Sequence, residues 1–275
     1  MSIKSMPVWK WILLLIASLF LSLLLYGLGI LVAERYEGWL GWLMTAFAAA
    51  AMLGLYALFV HLFEGSWPKD LPMNRCAGHT ALGLAFGVGN FVLVVGAMML
   101  FGLCRVAKCP AFDWMLLSEA FAMFLIVAIG EEIVFRGVLF RWIDEKWGLI
   151  PALVVSGLVF GLAHITNGNA TLWSSIAIAL ESGLMLGMAY KWAGTLWFPI
   201  GIHWSWNFVQ GNIFGFAVSG TDAGSTLLNS SVNGPDWLTG GDFGAEASVI
   251  SVVIGLGITL WFIWDYQRRK NLQQD

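Results

Sequence analysis

Eight runs of mostly apolar residues, separated by short polar gaps, leave this chain few folds to choose from. They cover approximately 9–33, 39–63, 78–104, 113–143, 149–165, 172–190, 195–217 and 246–265. A helix needs about 20 apolar residues to cross the roughly 30 Å hydrocarbon core of a bilayer, and each run approaches that length. Only 11% of the residues are charged and 59% are hydrophobic, whereas a soluble domain carries roughly 25% charged residues. That composition excludes a cytosolic enzyme, a nucleic-acid binder and a disordered chain. The expected fold is an all-α polytopic bundle of about eight transmembrane helices, multi-pass in the cell membrane, with the lipid bilayer as a partner and no nucleic acid.

The first run is longer than the roughly 7–15 apolar residues of a signal peptide, so it is expected to stay as a span. Trp9, Trp11, Trp39, Trp114, Trp142, Trp147, Trp173, Trp192, Trp197, Trp261 and Trp264 fall near run ends, the pattern of an interfacial aromatic belt. An even number of spans puts both termini on one side. That side collects Lys4, Lys10, Lys69, Arg75, Arg141, Lys146, Lys191, Arg268, Arg269 and Lys270, against Arg35, Arg105 and Lys108 on the other. The bias places both termini in the cytoplasm. The long segment 218–245, with Asp222, Asp236 and Asp242 and no Lys or Arg, is expected outside and irregular. Cys104 and Cys109 are close enough in sequence to pair if their loop faces an oxidising compartment. The chain ends Gln-Gln-Asp and carries no lipidation motif.

No internal repeat or second domain is evident. Gly83-x-x-x-Gly87 and Gly183-x-x-x-Gly187 read as sites where small residues let helices approach closely. Asn90 reads as a hydrogen bonder between helices, and Glu119, His61 and His79 as groups near span ends that reach the interface.

Other polar residues stand where a bilayer makes them costly. Of the 14 basic residues only Arg136 lies inside a run and away from its ends, in Gly130-Glu131-Glu132-Ile133-Val134-Phe135-Arg136-Gly137, Lys10 and Arg141 falling at run ends. Each such group costs at least ~2.5 kcal/mol at a helix centre, which marks it for a function. Glu132 precedes Arg136 by one helical turn, the orientation that favours an ion pair. Glu131 points about 100° away with no such partner, and an unpaired carboxylate in an apolar site is a candidate general base. Two later runs bring imidazoles, in Phe160-Gly-Leu-Ala-His164 and His203-Trp-Ser-Trp-Asn207. Helices folded back near Trp147 and Gly148 would carry Glu131 and His164 to the same depth, roughly 25 Å from the turn. Glu181, early in its run, reads as a supporting or water-facing carboxylate.

Glu-Glu-x-x-x-Arg at 131–136, Phe-x-x-x-His at 160–164 and His-x-x-x-Asn at 203–207, in that order on three spans, resemble the CPBP family. It comprises the type II CAAX prenyl endopeptidases and their Abi-type relatives in lysostaphin resistance, bacteriocin processing and immunity. The stretch Gly194-Thr-Leu-Trp-Phe-Pro199 is also similar. The resemblance covers about 113–210 and divides the one membrane domain into a three-span region 1–112, a catalytic core 113–217, and an outer loop with the last span, 218–275. It implies an intramembrane endopeptidase whose cavity opens to the cytoplasm, acting on a peptide or membrane-protein substrate. Carried over, Glu131 and His164 would activate water, His203 and Asn207 would stabilise the oxyanion, and Glu132 and Arg136 would hold Glu131 in place. No cofactor is then required. A zinc ion held by Glu131, His164 and His203 is the alternative, disfavoured because Glu131 would be less available as base and Asn207 is a poor zinc ligand. Two other readings are open: a non-catalytic binding or bacteriocin self-immunity protein using the same cavity, and a proton-coupled transporter, against which the missing repeat symmetry speaks.

Overall fold

The computed structural model describes residues 3 and 6–273; Lys4, counted above among the basic residues, and the terminal residues 274 and 275 lie outside them. Eight long helices follow the eight apolar runs. α1 is Val8–Arg35, α2 Gly38–Glu64 and α3 Cys76–Leu100. α4 begins as Trp114–Glu132, widens into a π-helical stretch Ile133–Phe140, and closes as Arg141–Trp147. α5 is Leu149–Ala163. α6 joins Leu172–Ile178, a π turn Ala179–Gly183 and Leu184–Ala193. α7 is Trp197–Phe208 with a π turn Val209–Ile213, and α8 is Val249–Leu272.

Five of these helices, α1, α2, α3, α6 and α8, are long and apolar enough to cross a membrane, and α5 is apolar but only 15 residues long. α4 and α7 carry the polar motifs and lie inward. α7 is buried along almost its whole length, from Trp197 to Asn207 apart from Trp204. The outer helices turn large apolar side chains outward, among them Leu13, Phe20, Phe47 and Leu158, a surface suited to lipid rather than water. The tryptophan pattern divides: Trp9, Trp39, Trp114 and Trp147 are exposed at helix ends, whereas Trp11, Trp142 and Trp197 are buried in the protein.

Close packing fixes α7 at the centre. A Cβ on Gly83 would come within 2.3 Å of the Phe198 carbonyl, and one on Gly201 within 2.5 Å of the Thr80 carbonyl, so α3 and α7 touch backbone to backbone as small-residue helices do. Gly183 packs in the same way against Gly157 of α5. Asn90 of α3 donates to Met185 Sδ of α6 at 3.4 Å, a contact between helices as expected. Glu119 accepts from the Gly38 amide and His79 bonds Thr195 Oγ1.

The ends of the bundle differ. On one face Lys146 reaches the Met6 carbonyl, the Trp11 and Trp147 rings meet, and Trp192 bonds Asp265 near the end of α8; this is the termini face. Gly148, at φ +93°, makes the tight reversal from α4 to α5 there. The opposite, loop face carries the N-termini of α4, α6 and α8. Each is capped by a side chain: Asp113 accepts from the Met115 amide, Thr171 forms a capping box with Ser174, and Ser248 accepts from the Ser251 amide. Here the 218–245 segment is more ordered than its composition suggests. β2 (Leu228–Val232) pairs antiparallel with β1 (Cys104–Lys108), and short helical turns follow. Strand β1 also explains why Cys104 and Cys109 are free: five extended residues separate them by roughly 16 Å, beyond the reach of a disulfide.

Candidate active site

The three motifs interlock around Phe160 and Glu132. Arg136 Nη1 donates to Glu132 Oε1 at 2.9 Å, and its Nη2 donates to the Ser182 carbonyl of α6 at 3.2 Å. Its guanidinium lies 4.5 Å over the Phe160 ring, so a cation buried to 1% exposure is held by a carboxylate, a carbonyl and an aromatic face. The π-helical stretch that begins at Ile133 sets this register, and π segments recur at functional sites. Phe160 has a second task. Its carbonyl lies 2.7 Å from His164 Nδ1, and only a protonated nitrogen can bond a carbonyl. His164 therefore carries its proton on Nδ1 and presents the Nε2 lone pair to the interior.

Glu132 Oε1 is shared. It also receives His203 Nδ1–H at 2.9 Å, so the buried pair Glu132–Arg136 orients His203 of α7, not Glu131 as the family resemblance implies. Glu131 is held instead by Tyr26 of α1, whose hydroxyl donates to Oε1 at 3.1 Å. The other oxygen of Glu131 has no hydrogen-bond partner and lies 3.9 Å from His203 Nε2, too far for a direct bond.

Glu131, His164, His203 and Asn207 line one cavity of about 360 Å³. Asn207 is 8% exposed, and its side-chain amide makes no hydrogen bond among the described residues. A smaller chamber of about 20 Å³ adjoins it, bordered by Phe160, His164, His203, Asn207, Ser219 and Glu246; that is room for one water molecule. Glu132 and Arg136 stand behind this surface, out of the cavity. Glu181 is fully buried, against α8 at Gly255, accepts from the Ser182 hydroxyl and lines neither chamber. Its burial rules out the water-facing alternative and leaves the supporting one, beside Ser182 whose carbonyl takes Arg136. No group of three His, Cys, Asp or Glu side chains stands close enough to hold a metal ion among the described residues. Glu131, His164 and His203 as arranged do not form a ligand set.

Two groups were missed in the sequence. Tyr26 was hidden because a tyrosine inside an apolar run looks like packing, and only the α1–α4 contact gives it a partner. Glu246 was absorbed into the last apolar run; it stands in the turn before α8, buried to 4% exposure, accepting from the Ser219 amide and hydroxyl at 2.6 and 3.0 Å.

The cavity's outlet is also unexpected. Its walls are the second half of α1, the first half of α4, Asn167 beyond α5, and residues 218–223. Its exposed members, Glu34, Thr221 and Asp222, stand on the loop face. A cytoplasmic outlet and cytoplasmic termini therefore cannot both hold, because the cavity opens on the face opposite the termini.

A helical membrane bundle with a carboxylate, two imidazoles and an amide converging on one cavity has the parts of a hydrolase. Residues 113–209 match the family Type II CAAX prenyl endopeptidase Rce1-like, a match over this segment that supports the CPBP resemblance. Neither a curated protein nor a solved structure matches the chain.

Proposed function

We propose that the chain is an intramembrane endopeptidase in which Glu131 and His164 activate a water for attack on a substrate peptide bond. The observation that carries this reading is the convergence of Glu131, His164, His203 and Asn207 on one cavity from three helices. Tyr26 occupies one oxygen of Glu131, leaving the other to take a proton from water. His164 Nε2 accepts the water's second hydrogen and aligns it. The water oxygen attacks the carbonyl carbon, and the proton passes to Glu131. The oxyanion is stabilised by the unengaged amide of Asn207 and by His203. Because Nδ1 of His203 is committed to Glu132, the oxyanion is met by Nε2, which donates in the imidazolium form with its second proton taken from solvent before the attack and kept through the cycle. When the tetrahedral intermediate collapses, the C–N bond breaks and Glu131 returns its proton to the leaving amine.

The termini face holds nine of the described Lys and Arg residues and the loop face three. We infer from this that the termini are cytoplasmic and the cavity opens away from the cytoplasm, to a peptide or membrane-protein segment on that side.

The test is cleavage of a quenched-fluorescence peptide library by purified wild type beside His164→Ala and Asn207→Ala. Loss of cleavage in His164→Ala and a fall of ~10²-fold in kcat for Asn207→Ala, with thermal unfolding unchanged, are expected. Full activity in both variants would overturn the assignment.

A further inference from the structure

The outlet of the cavity is acidic, and its lining says which substrates it would accept. A second hollow of about 260 Å³ adjoins the first, sharing Glu34, Ala120 and Met123 with it and adding Glu37 and Glu119. Taken together as one trough between Glu131 and the loop face, the two hollows bear five carboxylates: Glu34, Glu37, Glu119, Glu131 and Asp222. No Lys or Arg lines either hollow among the described residues. Arg35, the cation next in sequence, sits over the ring of Tyr36, a wall of the second hollow, at 6.0 Å, one cation at the rim beside five carboxylates. Three of the carboxylates have local partners: Glu119 accepts from the Gly38 amide, Asp222 from the Gly224 amide and Glu131 from the Tyr26 hydroxyl. At the inner end the trough meets Asn207, more than nine-tenths buried and without a hydrogen-bond partner, and the unpartnered oxygen of Glu131. The floor thus presents unused polar atoms to whatever enters, and the outer walls bear carboxylates and no Lys or Arg among the described residues.

We propose that this trough binds a cationic peptide segment, with Lys or Arg beside the scissile bond, entering from the loop face. The proposal rests on the endopeptidase reading. Low-dielectric walls focus the field of the carboxylates along the trough. A basic segment is drawn in, and an acidic one meets repulsion from the carboxylates of the outer walls. The middle of the cavity is apolar at Ile30, Met123 and Val127, which suits an apolar core between basic flanks.

The experiment uses the full chain in lipid nanodiscs and fluorescent peptides that share one apolar core but are flanked by lysines, glutamines or glutamates. Binding by anisotropy and cleavage are read on the same samples, for wild type and for the paired substitution Glu34→Gln with Asp222→Asn, which touches neither the proposed base nor the oxyanion groups. Wild type is expected to bind the lysine-flanked peptide ~10-fold more tightly than the glutamate-flanked one, with the preference shrinking in high salt and in the double variant. Equal binding of all three peptides overturns the proposal, and so does a preference that the double variant leaves intact. Charge-selective binding lost in the double variant, without cleavage by wild type, upholds the cationic trough while removing the protease reading. The two failures are thus distinguishable.

Discussion

His203 and Glu132 share one hydrogen bond of 2.9 Å between Nδ1 and Oε1, and the same oxygen takes Nη1 of Arg136 at 2.9 Å. One buried carboxylate therefore joins the first motif to the third. Removing it strands two buried groups at once. Glu132→Ala is expected to lower stability by about 3–5 kcal/mol, the cost of leaving a buried charge uncompensated, and to abolish cleavage. Thermal unfolding in detergent checks the first effect. Retention of wild-type stability would show that the three-way contact does not hold the bundle.

Tyr26 reaches Glu131 from a helix outside the family match. Tyr26→Phe removes one hydrogen bond, a loss of about 0.5–1.5 kcal/mol, and leaves both Glu131 oxygens free to rotate. A fall of about 3–10-fold in kcat with KM little changed is expected, from steady-state kinetics on one cleaved peptide. A KM effect alone would place Tyr26 in substrate binding instead.

The position of the outlet can be read independently of catalysis. Asp222 is exposed at its rim on the loop face. In intact cells, Asp222→Cys should gain labelling by a membrane-impermeant maleimide over the wild-type background, and Lys270→Cys should not. The reverse pattern would put the cavity on the cytoplasmic side and the termini outside.

On the termini face, burial pushes the Asp70 carboxyl above the usual carboxylate range, against the pull of Arg141 and of the Tyr56 and Tyr190 hydroxyls. The folded protein thus holds that proton more tightly than the unfolded chain does. Stability from this group is fully present below the unfolded carboxylate value of about 3.9 and declines as pH rises through the raised value. Asp70→Asn should flatten that part of a melting-temperature profile. An unchanged slope would mean Asp70 ionises alike in both states.

Much of this was legible in the sequence because lipid imposes a strict length and polarity rule. The apolar runs coincide with the long helices, and the fold-back at Gly148 brings Glu131 and His164 to one cavity, as spacing alone suggests. The Glu132–Arg136 pair was readable for the same reason, since it lies within one helix. What could not be read depends on contacts between helices or on loops. The 3.1 Å bond from Tyr26 and the transfer of Glu132 from Glu131 to His203 need the packing of α1 and α7 against α4. Strand β2 belongs to a Gly-, Ser- and Asn-rich segment whose composition resembles an irregular loop, and the burial of Glu246 depends on Ser219 of that segment folding over it. The outlet was misplaced because family resemblance supplied it, whereas the lining residues of this chain put it at Glu34 and Asp222.

The central claim is that Glu131 activates the attacking water. Its most direct test is peptide hydrolysis by wild type beside Glu131→Gln, which keeps the shape and removes the base, each with and without a metal chelator. The account predicts that Glu131→Gln lowers kcat by ~10²–10⁴-fold with folding intact and that the chelator leaves wild type unaffected. Glu131→Gln with full activity, or wild-type activity lost to the chelator and restored by zinc, would contradict it.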